Sequence, residues 1–259
     1  YRRQRQMCIR DRCNTAYGGQ RANTAYHLQL AQDHGYTAIA DVDILDAEGS
    51  LTLPVEGGSY LAENYVGANL ANYDYIVVLS HFKGHSMAGF GGAIKNIGMG
   101  CGSRAGKKDQ HNCGKPSIDP ELCRGCGRCR HECANSGLAF DEKTRKMHVV
   151  EENCVGCGRC LGACNFDAIA FNDSNAVSEL NCRMAEYAKA VLDGRPHFHV
   201  SLVVDVSPNC DCHGENDAPI LPDIGMFASF DPLALDQACA DACLSAAPMP
   251  NSQLSDNLK

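Results

Sequence analysis

Eight of the seventeen cysteines in this 259-residue chain fall into two copies of one spacing that suits metal binding. Cys123, Cys126, Cys129 and Cys133 follow Cys-x2-Cys-x2-Cys-x3-Cys, and Cys154, Cys157, Cys160 and Cys164 repeat it without insertion. Three thiolates on one tight loop can hold three corners of an iron-sulfur cubane, while the fourth, carried onto the following turn, reaches the neighbouring cluster. The expected ligand sets are therefore crossed. Cys123, Cys126, Cys129 and Cys164 are expected to hold one 4Fe-4S cluster, and Cys154, Cys157, Cys160 and Cys133 the second. Gly125, Gly127, Gly156 and Gly158 suit loops that need left-handed backbone and amides aimed at sulfur. Structural zinc is the alternative, since four-cysteine tetrahedral sites also use Cys-x2-Cys pairs, although they seldom need the pattern doubled.

A second set of candidates follows a strand predicted at residues 75–80. His81, Lys83, His85 and Lys95 are spread through a segment with six glycines between Gly84 and Gly100. Backbone amides in such a segment can approach a ligand, and Lys83 or Lys95 could neutralise an anion there. Neither nucleotide-binding glycine fingerprint occurs in this stretch. His81 and His85, four apart, could face one ligand if helical, with Cys210, Cys212 and His213 as further soft donors. The plainer account is a small-residue helix with solvated lysines, hydrogen-bonded histidines and reduced thiols.

The elements that must position these residues alternate in type. A helix is expected over residues 24–34, capped by Asn23 and ended by Gly35. Strands are expected at 37–42, 51–55 and 75–80, with a helix near 66–71 and Pro54 confining the second strand to an edge. A long amphipathic helix at 175–192, strands at 198–206 and 226–230, and a helix at 233–244 after Pro232 complete the pattern. The fold class is α/β: a layered α/β domain interrupted by a small α+β insert. Residues 13–116 and 173–259 form the two parts of the larger domain, the second expected to be truncated, and 117–172 form the insert. Within the insert, 123–140 and 154–171 share one layout. It is too small to be stable on apolar burial alone, so bound metal is expected to supply much of its folding energy.

Composition excludes several function classes. The formal charge of −8 argues against an extended nucleic-acid interface, because phosphate binding needs clustered Lys and Arg. The longest apolar stretches are strand-length, so no membrane span is expected. Residues 1–12 hold five of the 23 basic residues without strand or helix periodicity, and read as a non-native leader. Arg104, Lys107, Lys108, Lys115, Arg124, Arg128 and Arg130 surround the start of the insert and could dock an acidic redox partner. Cys239 and Cys243 are expected to pack as small apolar residues on the last helix.

The doubled cysteine motif resembles that of bacterial two-cluster ferredoxins, except that Ala134 and Asn165 stand where a proline usually follows each fourth cysteine. Over nearly the whole chain after residue 13, the sequence resembles the domain of unknown function 362 family of Fe-S centre proteins. The residues that carry this are Asn14-Thr15-Ala16-Tyr17-Gly18-Gly19-Gln20-Arg21, the run from Ser80 to Gly100, Arg104-Ala105-Gly106-Lys107, the doubled motif, and Cys210-Asp211-Cys212. Pro222-Asp223-Ile224-Gly225, Asp231-Pro232 and Asp236-Gln237-Ala238-Cys239 continue the match. The resemblance implies an α/β domain interrupted by a ferredoxin-like module with two 4Fe-4S clusters, in the cytoplasm, and no established reaction. The expected function is electron transfer or a redox-enzyme component, with a redox protein or small molecule as partner. The alternative is a non-redox enzyme or binding protein for a small anion, with structural or sensing clusters.

Overall fold

The structure is a computed structural model that describes residues 8–16, 19–85, 87–112, 114–133, 135–173, 175–210 and 218–257. Strand β1 (Cys8–Asp11) pairs in parallel with β2 (Asp41–Ile44), although its sequence carries no strand periodicity. Parallel pairing of two short strands needs only their backbone groups. Between them runs α1 (Thr24–Asp33), where Asn23 accepts the Tyr26 amide hydrogen and Gly35, at φ 80°, takes the left-handed turn beyond the helix.

Strands β3 (Ser50–Pro54) and β4 (Glu63–Gly67) form an antiparallel pair with Pro54 opposite Glu63, and a two-stranded ladder tolerates the missing amide hydrogen. Two expectations shift here. Residues 36–38 form a 3-10 turn where a strand was expected, and the helix expected at 66–71 becomes the end of β4 followed by a 3-10 turn, Ala68–Asn72. Val66 is wholly buried on its strand, and Asn69 is tied to Asp43 at 2.7 Å, so tertiary contacts override local preference.

Strand β5 (Ile76–His81) leads into a hairpin, β6 (Lys83–His85) with β7 (Gly89–Gly91), and then α2 (Ala93–Cys101) and α3 (Arg104–His111). The insert follows as two matching halves. The first is β8 (Pro116–Ile118), a cysteine loop, α4 (Arg128–Glu132) and β9 (Leu138–Asp141). The second is β10 (Lys146–Val149), a cysteine loop, α5 (Arg159–Gly162) and β11 (Ile169–Phe171). β8 pairs with β11 and β9 with β10, both antiparallel, and the Asn172 amide donates to Lys115 O at 3.0 Å where the chain leaves and returns.

The chain then forms α6 (Ala176–Leu192), β12 (His197–Val203), β13 (Gly225–Ser229), α7 (Pro232–Ser245) and α8 (Gln253–Asn257). The largest sheet has three strands in the order β13-β12-β5, with β12 parallel to β5 and antiparallel to β13. Its inner face, including Val78 and Val203, meets α2, α6 and α7, while Val77, Leu79 and Met226 on the other face are exposed. Gly98 lets α2 close onto α6, because a β-carbon there would lie 2.1 Å from Met184 O. The mixed α/β class is thus as expected, with helices covering one side of the main sheet.

Candidate metal centres

Both cysteine loops are built on the same backbone path. Gly125 and Gly127 have φ of 64° and 76°, and Gly156 and Gly158 have 67° and 74°. At the first glycine of each pair the demand is also one of space. A β-carbon on Gly125 would lie 2.2 Å from Arg145 O, and one on Gly156 would lie 2.2 Å from His111 O. The second glycine of each pair precedes a short helix, α4 or α5, that carries the third cysteine inward: Cys129 and Cys160 are both buried.

The fourth cysteines change partners. Cys164 lines a cavity with Cys123, Cys126 and Cys129, walled by Ile118, Met147, Phe166, Ala168 and Ile169. Cys133 stands instead among the groups acting on Cys154, Cys157 and Cys160. Within the insert, Cys123, Cys129 and Cys160 pack with Leu138, Met147, Ala168 and Ile169 as one core. Burial pushes the Cys160 thiol up to about 12 and raises Cys129, Cys154 and Cys157 as well. Backbone amides work the other way: those of Arg130, Gly156 and Arg159 favour the thiolates of Cys129, Cys154 and Cys157. Gly125 and Met147 donate to Cys123 Sγ at 3.4 and 3.5 Å, and Gly137 to Cys133 Sγ at 3.2 Å. Among the described residues, no three His, Cys, Asp or Glu side chains are grouped so as to hold a single metal ion. The donor set is nonetheless one of eight soft thiols in two groups, three buried, four half-buried and Cys126 exposed, and thiols bind metal as thiolates.

The second set of candidate residues lies beside the second loop. Lys83 is buried, and a β-carbon on Gly91 would lie 3.9 Å from Lys83 Cε and 3.3 Å from Lys95 Cδ. Glycine at 91 therefore leaves room for the Lys95 side chain, with Lys83 in ordinary contact distance beside it. Lys95 Nζ reaches Cys210 Sγ at 3.5 Å, and Cys210 is buried. His85 Nδ1 accepts the Met87 and Ala88 amide hydrogens at 3.1 and 3.0 Å. His81 Nε2 meets Val204 O at 2.8 Å, and the two histidines sit on successive strands, not on one helical face. Cys212 and His213 lie outside the described residues.

Two residues without a spacing signal join this neighbourhood. His111, at the end of α3, has a buried Nδ1 with no hydrogen-bond partner among the described residues, and burial with Lys95, His85 and Lys107 nearby lowers it to about 4. Asp236 on α7 accepts the Ala93 and Ile94 amide hydrogens and so seats the start of α2. Lys107 is not a surface docking residue: it is buried and donates to Cys13 O and Gly102 O. Cys239 packs in the core as expected, with burial raising it to about 11.

No helix among the described residues is long and apolar enough to cross a membrane. Comparison with curated proteins gives no match. Residues 4–241 match the family described as Domain of unknown function (DUF362), and on a match of that extent the chain belongs to the DUF362 family.

Proposed function

We propose that the protein binds two 4Fe-4S clusters through its crossed cysteine sets and works in electron transfer or as a redox-enzyme component. The exchange of fourth cysteines carries this reading, since Cys164 shares a cavity with the first loop's three thiols and Cys133 keeps company with the second loop's. That is the arrangement of two-cluster ferredoxin modules, and the strand, loop, helix, strand repeat of the insert supports a ferredoxin-like fold there.

When bound, such clusters take up and release single electrons. The chain's own residues tune that chemistry. Buried thiols lose their protons as iron binds, so uptake releases protons. The amides of Gly125, Gly137 and Met147 steady negative sulfur, and Ile118, Phe166, Ala168 and Ile169 form an apolar wall along the first set, whose Cys126 is exposed. The second loop abuts the larger domain: Gly156 packs on His111 O and Gly158 on Met87 Sδ. Electrons are therefore expected to pass between the insert and the region of Lys83, His85 and Lys95, with a redox protein or small molecule as the outside partner. Free thiols around such a centre call for a reducing compartment, and the cytoplasm fits.

A non-redox enzyme or anion-binding protein with structural or sensing clusters is the second reading, favoured by the paired lysines at Gly91. Anaerobic purification with iron and sulfide analysis tests the metal assignment. About eight irons per chain and two interacting paramagnetic centres after dithionite are expected. Zinc in their place would overturn it, since a lone tetrahedral ion needs four sulfurs about 2.3 Å away. If the reduced protein exchanges electrons with no ferredoxin, flavin or substrate yet holds an anion, the second reading wins.

A further inference from the structure

We propose that Lys95, His85 and His111, with Lys83 alongside, form a binding site for a small oxyanion, of the carboxylate or phosphate class, against the Cys154–Cys160 side of the insert. The inference deepens the proposed function by naming the ligand class of the larger domain, and rests on it only for the role of the neighbouring loop.

Three independent features converge. His85 accepts two backbone amide hydrogens on Nδ1, so its neutral ring carries the proton on Nε2 and offers that nitrogen as a donor. His111 presents a buried Nδ1 without a hydrogen-bond partner among the described residues, which is costly unless a ligand or water completes it. Lys95 has the Cys210 thiol as its polar neighbour at 3.5 Å, a weak partner for an ammonium group. The ammonium groups of Lys95 and Lys107 both act on His111. The Asp236 carboxylate on α7 has its two oxygens taken up by the Ala93 and Ile94 amides.

The shape agrees with the charge. Gly91 leaves the Lys95 side chain space that a β-carbon would crowd, with Lys83 beside it, and Gly156 and Gly158 bring the second loop onto His111 and onto Met87, whose amide binds His85. Two ammonium groups and two imidazoles in partly desolvated surroundings recognise an oxyanion by several charge-assisted hydrogen bonds at once.

Calorimetric titration of the anaerobic, iron-reconstituted full chain with malonate and with inorganic phosphate tests this, with chloride at matched ionic strength as the reference. Saturable binding of one or both is expected, and which one binds tells carboxylate from phosphate. Lys95→Gln and His111→Gln should each weaken it about tenfold to a hundredfold with iron and sulfide content unchanged. Lys189→Gln, on an exposed stretch of α6 where Lys189 pairs with Asp193, should leave it intact. No saturable binding by an iron-replete chain, or equal weakening by Lys189→Gln, overturns the site while leaving the clusters standing. Binding that depends on Lys95 in an iron-poor chain supports the site and removes the cluster reading instead.

Discussion

The Asp236 carboxylate on α7 accepts the Ala93 amide hydrogen at 2.6 Å and that of Ile94 at 2.9 Å, fastening the end of the chain to the start of α2. Gly92 is required for this approach, since a β-carbon there would lie 2.2 Å from Asp236 Oδ1. Because α2 carries Lys95, the contact also fixes where that lysine stands. Asp236→Ala should cost about 1–2 kcal/mol in urea unfolding, the range for losing a helix-capping acceptor. Asp236→Asn, which keeps one acceptor oxygen, should cost less. Equal losses from both would mean that the carboxylate's hydrogen bonds contribute little.

The proposed crossed ligand sets make a prediction that pairs residues on different loops. Cys164→Ala and Cys123→Ala should remove the same centre, leaving about four irons and matching residual electron paramagnetic spectra. Cys160→Ala and Cys133→Ala should leave the other one. If the Cys164 variant instead resembled the Cys160 variant, each loop would be holding its own four cysteines.

The loop glycines should rank by what surrounds them. Gly127→Ala meets nothing within 4 Å, so only its positive φ opposes the change, at about 1 kcal/mol. Gly125→Ala adds a clash with backbone, Arg145 O at 2.2 Å, and should lose metal from the first set or fold poorly. Iron content and thermal midpoint, measured side by side, would refute the ranking if Gly127→Ala proved the more damaging.

Acid should destabilise the fold through His199. Burial, followed by the charge of His197, lowers His199 to about 4 from 6.5, with Asp231 pulling the other way. A depressed histidine adds stability that is whole above the unfolded value of 6.5 and is lost as pH falls towards 4, because the unfolded chain then binds the extra proton. His199→Gln should therefore flatten the pH dependence of unfolding between those limits by about one proton. An unchanged slope would show that His199 titrates normally.

Stripping iron should act locally. Three of the seven buried residues in the insert's core are cysteines, so a chelator is expected to open residues 117–172 to protease while α6 and β12 stay protected. Uniform cleavage across the chain would argue that the larger domain depends on the metal too.

The eight cysteines, the glycines of their loops and the repeated layout of the insert were legible in the sequence, because each cysteine loop is built from contiguous residues at fixed spacing. Helices α1, α6 and α7 were legible for a similar reason, since a cap such as Asn23 and the periodicity of one face are local properties. Tertiary structure decided the rest. It turned residues 66–72 from an expected helix into a strand end and a 3-10 turn, because burying Val66 in the core outweighs local preference. It also put His81 and His85 on separate strands, brought His111 near Lys95 of α2, and set Asp236 against the start of that helix. Those meetings join residues far apart along the chain, and no spacing in the sequence encodes a contact that only packing creates.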